Sequence, residues 1–144
     1  MKGLIILHKT VLLNEAIDNL NIKEDGIYVD ATLGFGGHSG LILKRVKRGF
    51  LFAFDQDEMA IEYSKKKLSE IGDNFEIIKS NFVNLKDELN KRNIDKIDGI
   101  VFDLGVSSII GWFNGEEPSS STTKALISIP YSFFSFFFVV FSSY

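Results

Sequence analysis

The strongest constraint on this chain is a strict alternation, over residues 1–108, of short apolar runs and longer amphipathic stretches. Four runs have strand character: 26–32 (GIYVDAT), 50–55 (FLFAFD), 75–78 (FEII) and 97–104 (IDGIVFDL). Between them, residues 39–46 repeat apolar side chains at helical spacing through Ile42, Leu43 and Val46. Residues 57–71 do the same through Ile61, Leu68 and Ile71, with Lys65, Lys66 and Lys67 outward and Asp57 placed as the N-cap. Leu85 and Leu89 mark a shorter helix. Ahead of the first strand, residues 10–20 carry Leu13, Ala16, Ile17 and Leu20 on one helical face. Strand and helix in alternation predict a parallel α/β sheet covered on both faces, each crossover right-handed.

The chain has 144 residues, one domain's length, and a net charge of −3. With a pI near 5.4 it lacks the bulk basic surface of a general nucleic-acid binder, so any such contact must be local. Without cysteine there is no disulfide, no Cys-based zinc site and no thiol nucleophile. The two histidines, His8 and His38, have no metal-ligand spacing, and no metal is expected. The apolar opening, residues 1–7, is too short for a secretory signal, and the body reads as cytoplasmic.

After Ser108 this grammar stops. Seventeen of the nineteen acidic residues precede position 109, no charge follows Lys124, and the last fifteen residues hold six Phe and four Ser. Two segments are therefore expected, 1–108 and a divergent apolar tail, 109–144. The tail has three readings. Residues 125–141 form an uncharged run at the short edge of a membrane span, interrupted by Pro130. The same run has the composition of an aggregation-prone edge strand. A Phe/Ser run is also what a translated pyrimidine-rich tract yields, and the abrupt break after Ser108 makes this the expected reading. No membrane association is expected unless 125–141 spans.

Open parallel sheets bind ligands at the carboxyl ends of their strands. Asp30 and the Gly34, Gly36, Gly37 turn follow the first run, Asp55 closes the second, Asn81 and Phe82 follow the third, and Asp103 closes the fourth. Glycines let backbone approach a ligand and reach positive φ, and the next helix aims its amides and positive dipole end there. A tight turn without a ligand explains the same glycines. The G-x-G-G spacing departs from the G-x-G-x-x-G dinucleotide fingerprint, which disfavours a nicotinamide oxidoreductase. Asp55, 21 residues after Gly34, is placed to accept ribose hydroxyls, a role shared by dinucleotide and S-adenosylmethionine sites. Phe82 is either an adenine-stacking ring or a core phenylalanine. Asp103 either orients a substrate amine by accepting its N–H or caps a turn. His38 either meets a ligand carboxylate or fills the first helical turn. Lys44, Arg45, Lys47 and Arg48 read as a solvated helix end.

Several segments together resemble one family. His8-Lys9-Thr10-Val11-Leu12-Leu13-Asn14-Glu15 is similar to the H-x-P-V-L-L-x-E opening of the bacterial small-subunit ribosomal RNA (cytosine-N4)-methyltransferases. Tyr28 through Ser39 (YVDATLGFGGHS) resembles that family's cofactor motif, Ala53-Phe54-Asp55-Gln56-Asp57 its second motif, and Lys96 through Ser108 (KIDGIVFDLGVSS) its fourth. Order and spacing match as well, over residues 8–108.

The resemblance implies a Rossmann-like methyltransferase fold with an incomplete parallel sheet. It implies S-adenosylmethionine as cofactor, held by Asp30, Gly34, Gly36, Gly37, His38, Asp55, Phe82 and Asp103, with Asp103 also the catalytic residue. The implied reaction is N4-methylation of a cytidine in small-subunit ribosomal RNA, with that RNA or the small ribosomal subunit as partner. Thr10 stands where the family has Pro. Ile109 and Ile110 stand where it continues Pro-Gln, and its later motifs and inserted substrate domain do not appear. A truncated chain is expected on that basis. Two alternatives stand beside the enzyme: a non-catalytic S-adenosylmethionine-binding fragment, and a truncated product without function.

Overall fold

The computed structural model describes Asn14, Ile17, Asp18 and residues 20–102. Strands β1 (Ile27–Asp30), β2 (Phe50–Asp55), β3 (Phe75–Lys79) and β4 (Gly99–Val101) form one sheet in the order β3-β2-β1-β4. All three strand pairings are parallel. Helix α1 (Gly37–Arg45) connects β1 to β2, and α2 (Glu58–Ser69) connects β2 to β3. A 3-10 turn (Phe82–Asn84) and α3 (Leu85–Asn90) lead from β3 toward β4. The fold is the parallel α/β sheet that the alternation of strand and helix predicts, in the Rossmann-like form that the family resemblance implies.

Side chains of a strand alternate between faces, and the two cores follow that period. Tyr28, Leu51 and Ala53 pack with Ile42, Leu43 and Leu68 of α1 and α2 on one face. Val29, Phe52 and Phe54 pack with Leu85 and Leu89 of α3 on the other. A parallel sheet is buried on both faces for this reason. Ile17 and Leu20, from the helix expected over 10–20, lie in the first core; the rest of that stretch, apart from Asn14 and Asp18, is outside the described residues.

Element ends differ from the sequence reading for local reasons. Strand β1 stops at Asp30, and the chain then leaves the ladder through single bonds, Ala31 N–H to Val101 O and Leu33 N–H to Phe54 O, both 2.9 Å. Helix α1 begins at Gly37, two residues earlier than its apolar spacing indicates, because Gly36 caps it in the left-handed conformation (φ 77°, ψ 22°). Helix α2 starts where Asp57 accepts the Met59 N–H at 3.0 Å, as the capping signal predicts. It ends at Ser69, where Ile71 and Gly72 both donate to Leu68 O. The expected end of the fourth run and the whole of 109–144 lie outside the described residues.

Strands β2 and β3 succeed one another on one side of β1, and β4 returns to its other side. The strand order therefore reverses between β1 and β4, and the carboxyl ends beside that switch are where such sheets bind ligands.

Candidate functional site

The turn after β1 is shaped by two glycines in the left-handed region, Gly34 (φ 52°) and Gly36 (φ 77°). A Cβ on Gly34 would have only Thr32 O near it, at 4.0 Å, so the turn presents bare backbone toward open space. Beneath it lies Asp30, fully buried, its Oδ2 accepting the Ser39 hydroxyl at 2.6 Å and its Oδ1 the Thr32 N–H at 3.1 Å. Asp30 thus ties strand end, turn and helix start together from below.

Asp55, at the end of β2, faces the same turn. Its Oδ2 accepts the Gly34 N–H at 2.8 Å, and its Oδ1 accepts the N–H groups of Gln56 (2.7 Å) and Asp57 (3.0 Å). A carboxylate oxygen carries two acceptor positions, so Oδ2 keeps capacity for a further donor.

After β3, Asn81 caps the 3-10 turn by accepting the Val83 N–H at 3.0 Å. That turn presents Phe82, half-buried, with its ring 5.8 Å from the buried Phe102 ring and nearly perpendicular to it. Phe82 is thus both a packing residue and a wall. Between these three strand ends lies a cavity of about 330 Å³, lined by Thr32, Gly34, Phe54, Asp55, Gln56 and Phe82 among others. Sites for small ligands start at roughly this volume.

Helix α1 opens beside the turn. The first amides of any helix lack intrahelical acceptors, and here Gly36 supplies no side-chain cap and the first turn holds no acid. His38, in that turn, is 8% exposed, and its buried Nε2 has no hydrogen-bond partner among the described residues. An unpaired buried ring nitrogen is costly to a fold. This end of the helix offers N–H donors, a positive dipole end and one imidazole nitrogen.

Of the residues singled out from the sequence, the structure brings Gly34, Asp55 and Phe82 to one cavity and sets Gly36, Gly37 and His38 at the adjoining helix start. Asp30 lies underneath. Asp103 is outside the described residues, two positions beyond Val101, the last residue of β4. Thr32 and Gln56, which lie within the family-like motifs but are not among the residues singled out there, and Ser80, which carries no sequence signal, also line the cavity. Ser64 is a second omission. It is fully buried in α2 and donates from Oγ to Gly34 O at 2.8 Å. Its one signal is a hydroxyl in the otherwise apolar stripe Ala60, Ser64, Leu68.

Among the described residues, no cluster of His, Asp or Glu could hold a metal ion. No helix among them is long and apolar enough to cross a membrane.

The model of the MraW methylase family matches residues 5–111. A protein of Mycoplasmopsis agalactiae named ribosomal RNA small subunit methyltransferase H is 60% identical over 101 residues, which covers 70% of this chain and 34% of that protein. A protein of the same name from Exiguobacterium sibiricum is 55% identical, over 70% of this chain and 32% of its own. The chain spans about a third of the length of these curated relatives. Among solved structures, an rRNA methylase from Streptococcus thermophilus superposes with a TM-score of 0.55 at 21% identity, covering 81% of this chain and 76% of that one. A methyltransferase homologue from Pyrococcus horikoshii gives 0.54 at 25% identity, covering 69% and 32%. Both share the Rossmann-like fold described above.

Proposed function

The chain belongs to the MraW methylase family, and from that premise we propose that it supplies the S-adenosylmethionine-binding part of an enzyme that methylates small-subunit ribosomal RNA. The observation that carries the reading is the convergence of Gly34, Asp55 and Phe82 on one cavity, beside a helix start holding His38, whose Nε2 has no hydrogen-bond partner among the described residues.

Those residues fit the cofactor group by group. Asp55 Oδ2 has acceptor capacity for ribose hydroxyls, and Phe82 offers a ring to an adenine face. The first amides of α1, with His38, suit the carboxylate of the amino-acid end. Gly34 leaves backbone bare where a side chain would fill the approach. Asp30 takes part from beneath, by fixing the turn and the start of α1. S-adenosylmethionine, when bound, supplies an electrophilic methyl group on its sulfonium.

The finer reading is N4-methylation of a cytidine. An exocyclic cytosine amine is a poor nucleophile, because its lone pair is delocalised into the ring. The protein's task is therefore to hold that amine in line and polarise its N–H bonds. We assign this to Asp103, which would accept an amine N–H next to β4. The base must leave any stacked or paired setting to arrive there. The family-like region ends near Ser108, and a ribosomal substrate implies a cytoplasmic location.

Calorimetric titration of the folded chain with S-adenosylmethionine tests the cofactor reading: one saturable site is expected, and absence of heat from a sample folded by circular dichroism would overturn it. Nucleoside analysis of small-subunit RNA tests the target. Deleting the gene should abolish an N4-methylcytidine and restoring it should bring it back; an unchanged nucleoside profile would contradict the assignment.

A further inference from the structure

We infer that helix α2 is a clamp on the cofactor turn, with Ser64 as its central positioning residue; this rests on the S-adenosylmethionine reading above. Three consecutive turn residues are each met by α2. Ser64 Oγ donates to Gly34 O at 2.8 Å. The Tyr63 ring meets the Phe35 ring edge-on, centroids 5.5 Å apart. Lys67 Nζ donates to Phe35 O at 3.4 Å. A Cβ on Gly36 would lie 3.2 Å from Ser64 Oγ, so the turn rests directly on this hydroxyl. Tyr63 and Lys67 are four residues apart and share one face of the helix, with Ser64 beside them.

The hydroxyl has a specific use. Ser64 is fully buried between Ala60 and Leu68 on the inward stripe of α2. An alanine would fit that stripe without a polar group to satisfy, so the serine is explained by its bond to the turn. Gly34 is thereby held on both sides, its N–H by Asp55 from β2 and its C=O by Ser64 from α2. Glycines lose the most backbone freedom on ordering. A turn already fixed in the free protein spares the ligand that entropy, which is the basis of preorganised affinity. The contact between Phe35 and Tyr63 lies at the surface, 69% and 57% exposed, so Tyr63 can be changed without disturbing the core.

The test compares full-chain variants by titration with S-adenosylmethionine and by amide exchange in its absence. Ser64→Ala should bind about tenfold more weakly, as expected for one lost neutral hydrogen bond plus a loosened turn. Amide exchange should accelerate at Gly34, Phe35 and Gly36 and stay unchanged at Gly26 and Gly49. Tyr63→Ala should weaken binding about threefold, while Tyr63→Phe, which keeps the ring, should match the parent. If Ser64→Ala does not fold, the two Tyr63 variants and Ser64→Cys carry the test; the thiol is a weaker donor, and Ser64→Cys should bind less tightly than the parent. Parent-like affinity and exchange in Ser64→Ala, or in Ser64→Cys and Tyr63→Ala, with a parent chain that binds, would overturn the clamp alone. A folded parent that does not bind S-adenosylmethionine would overturn the cofactor reading and the clamp's role with it.

Discussion

The two ends of the sheet are built on opposite terms. At the amino end the backbone is closed upon itself. Glu24 O accepts the N–H groups of Lys47, Arg48 and Gly49 at 2.8–3.0 Å. Asn74 Nδ2 donates to Val46 O and Gly49 O. Asp98 and Ile27 exchange two bonds, Asp98 N–H to Ile27 O and Ile27 N–H to Asp98 Oδ2. A Cβ on Gly49 would lie 1.9 Å from Gly26 O, so no side chain fits there. At the carboxyl end Gly34 faces open space, a histidine nitrogen has no partner among the described residues, and a carboxylate keeps an acceptor position in reserve. Glycine therefore serves two purposes in one sheet: Gly49 permits backbone to touch backbone, and Gly34 permits backbone to be touched. Backbone closed on backbone thus lies at one end, and backbone open to a ligand at the other.

Substitutions at the two ends should separate these properties. Asp55→Asn should have the largest effect, weakening S-adenosylmethionine by roughly 100-fold, since hydrogen bonds to a charged acceptor carry about 1.5–3 kcal/mol; equilibrium dialysis would measure it. An unchanged affinity would remove Asp55 from the site. Gly49→Ala should do the reverse, lowering stability by more than the ~1–3 kcal/mol typical of core overpacking, because its Cβ would meet backbone, while any folded fraction binds as before. Urea unfolding, with and without ligand, distinguishes these outcomes. Asn74→Ala removes two bonds at the closed end and should destabilise by about 1–2 kcal/mol, again with no change in affinity.

The smallest effect concerns pH. Burial raises the Tyr28 phenol above its usual value of 10.0, opposed by a hydrogen bond to its oxygen from the Lys23 N–H at 2.9 Å. A folded-state value above the unfolded one means the native state holds the proton longer. The stabilisation is complete below about pH 10 and is lost as pH rises through the folded value. Tyr28→Phe should flatten that alkaline slope in thermal melts; an identical slope would assign it to other groups.

The two ends also differ in how far they can be read from the sequence. The carboxyl end is legible because its residues are chosen locally. Glycines after a strand, an acid closing the next one and an aromatic after the third are each fixed by position along the chain. The capping role of Asp57 is legible for the same reason. The amino end is not, because its meaning is in long-range pairs: Asn74 bonds residues 25 and 28 positions away, and Asp98 bonds one 71 positions away. Ser64 escapes notice likewise, since its partner is 30 residues earlier. The rim position of Asp30 is legible, but its burial beneath the turn is a tertiary fact. The start of α1 depends on the left-handed Gly36, which apolar spacing does not register.

The most direct test is a two-dimensional NMR titration of the isotopically labelled chain with S-adenosylmethionine. Binding at the carboxyl end predicts saturable amide shifts at Gly34, Gly36, His38, Asp55 and Phe82, with Gly26, Gly49, Asn74 and Asp98 unmoved. Shifts centred on the amino end, or a folded spectrum that no concentration of ligand perturbs, would contradict it.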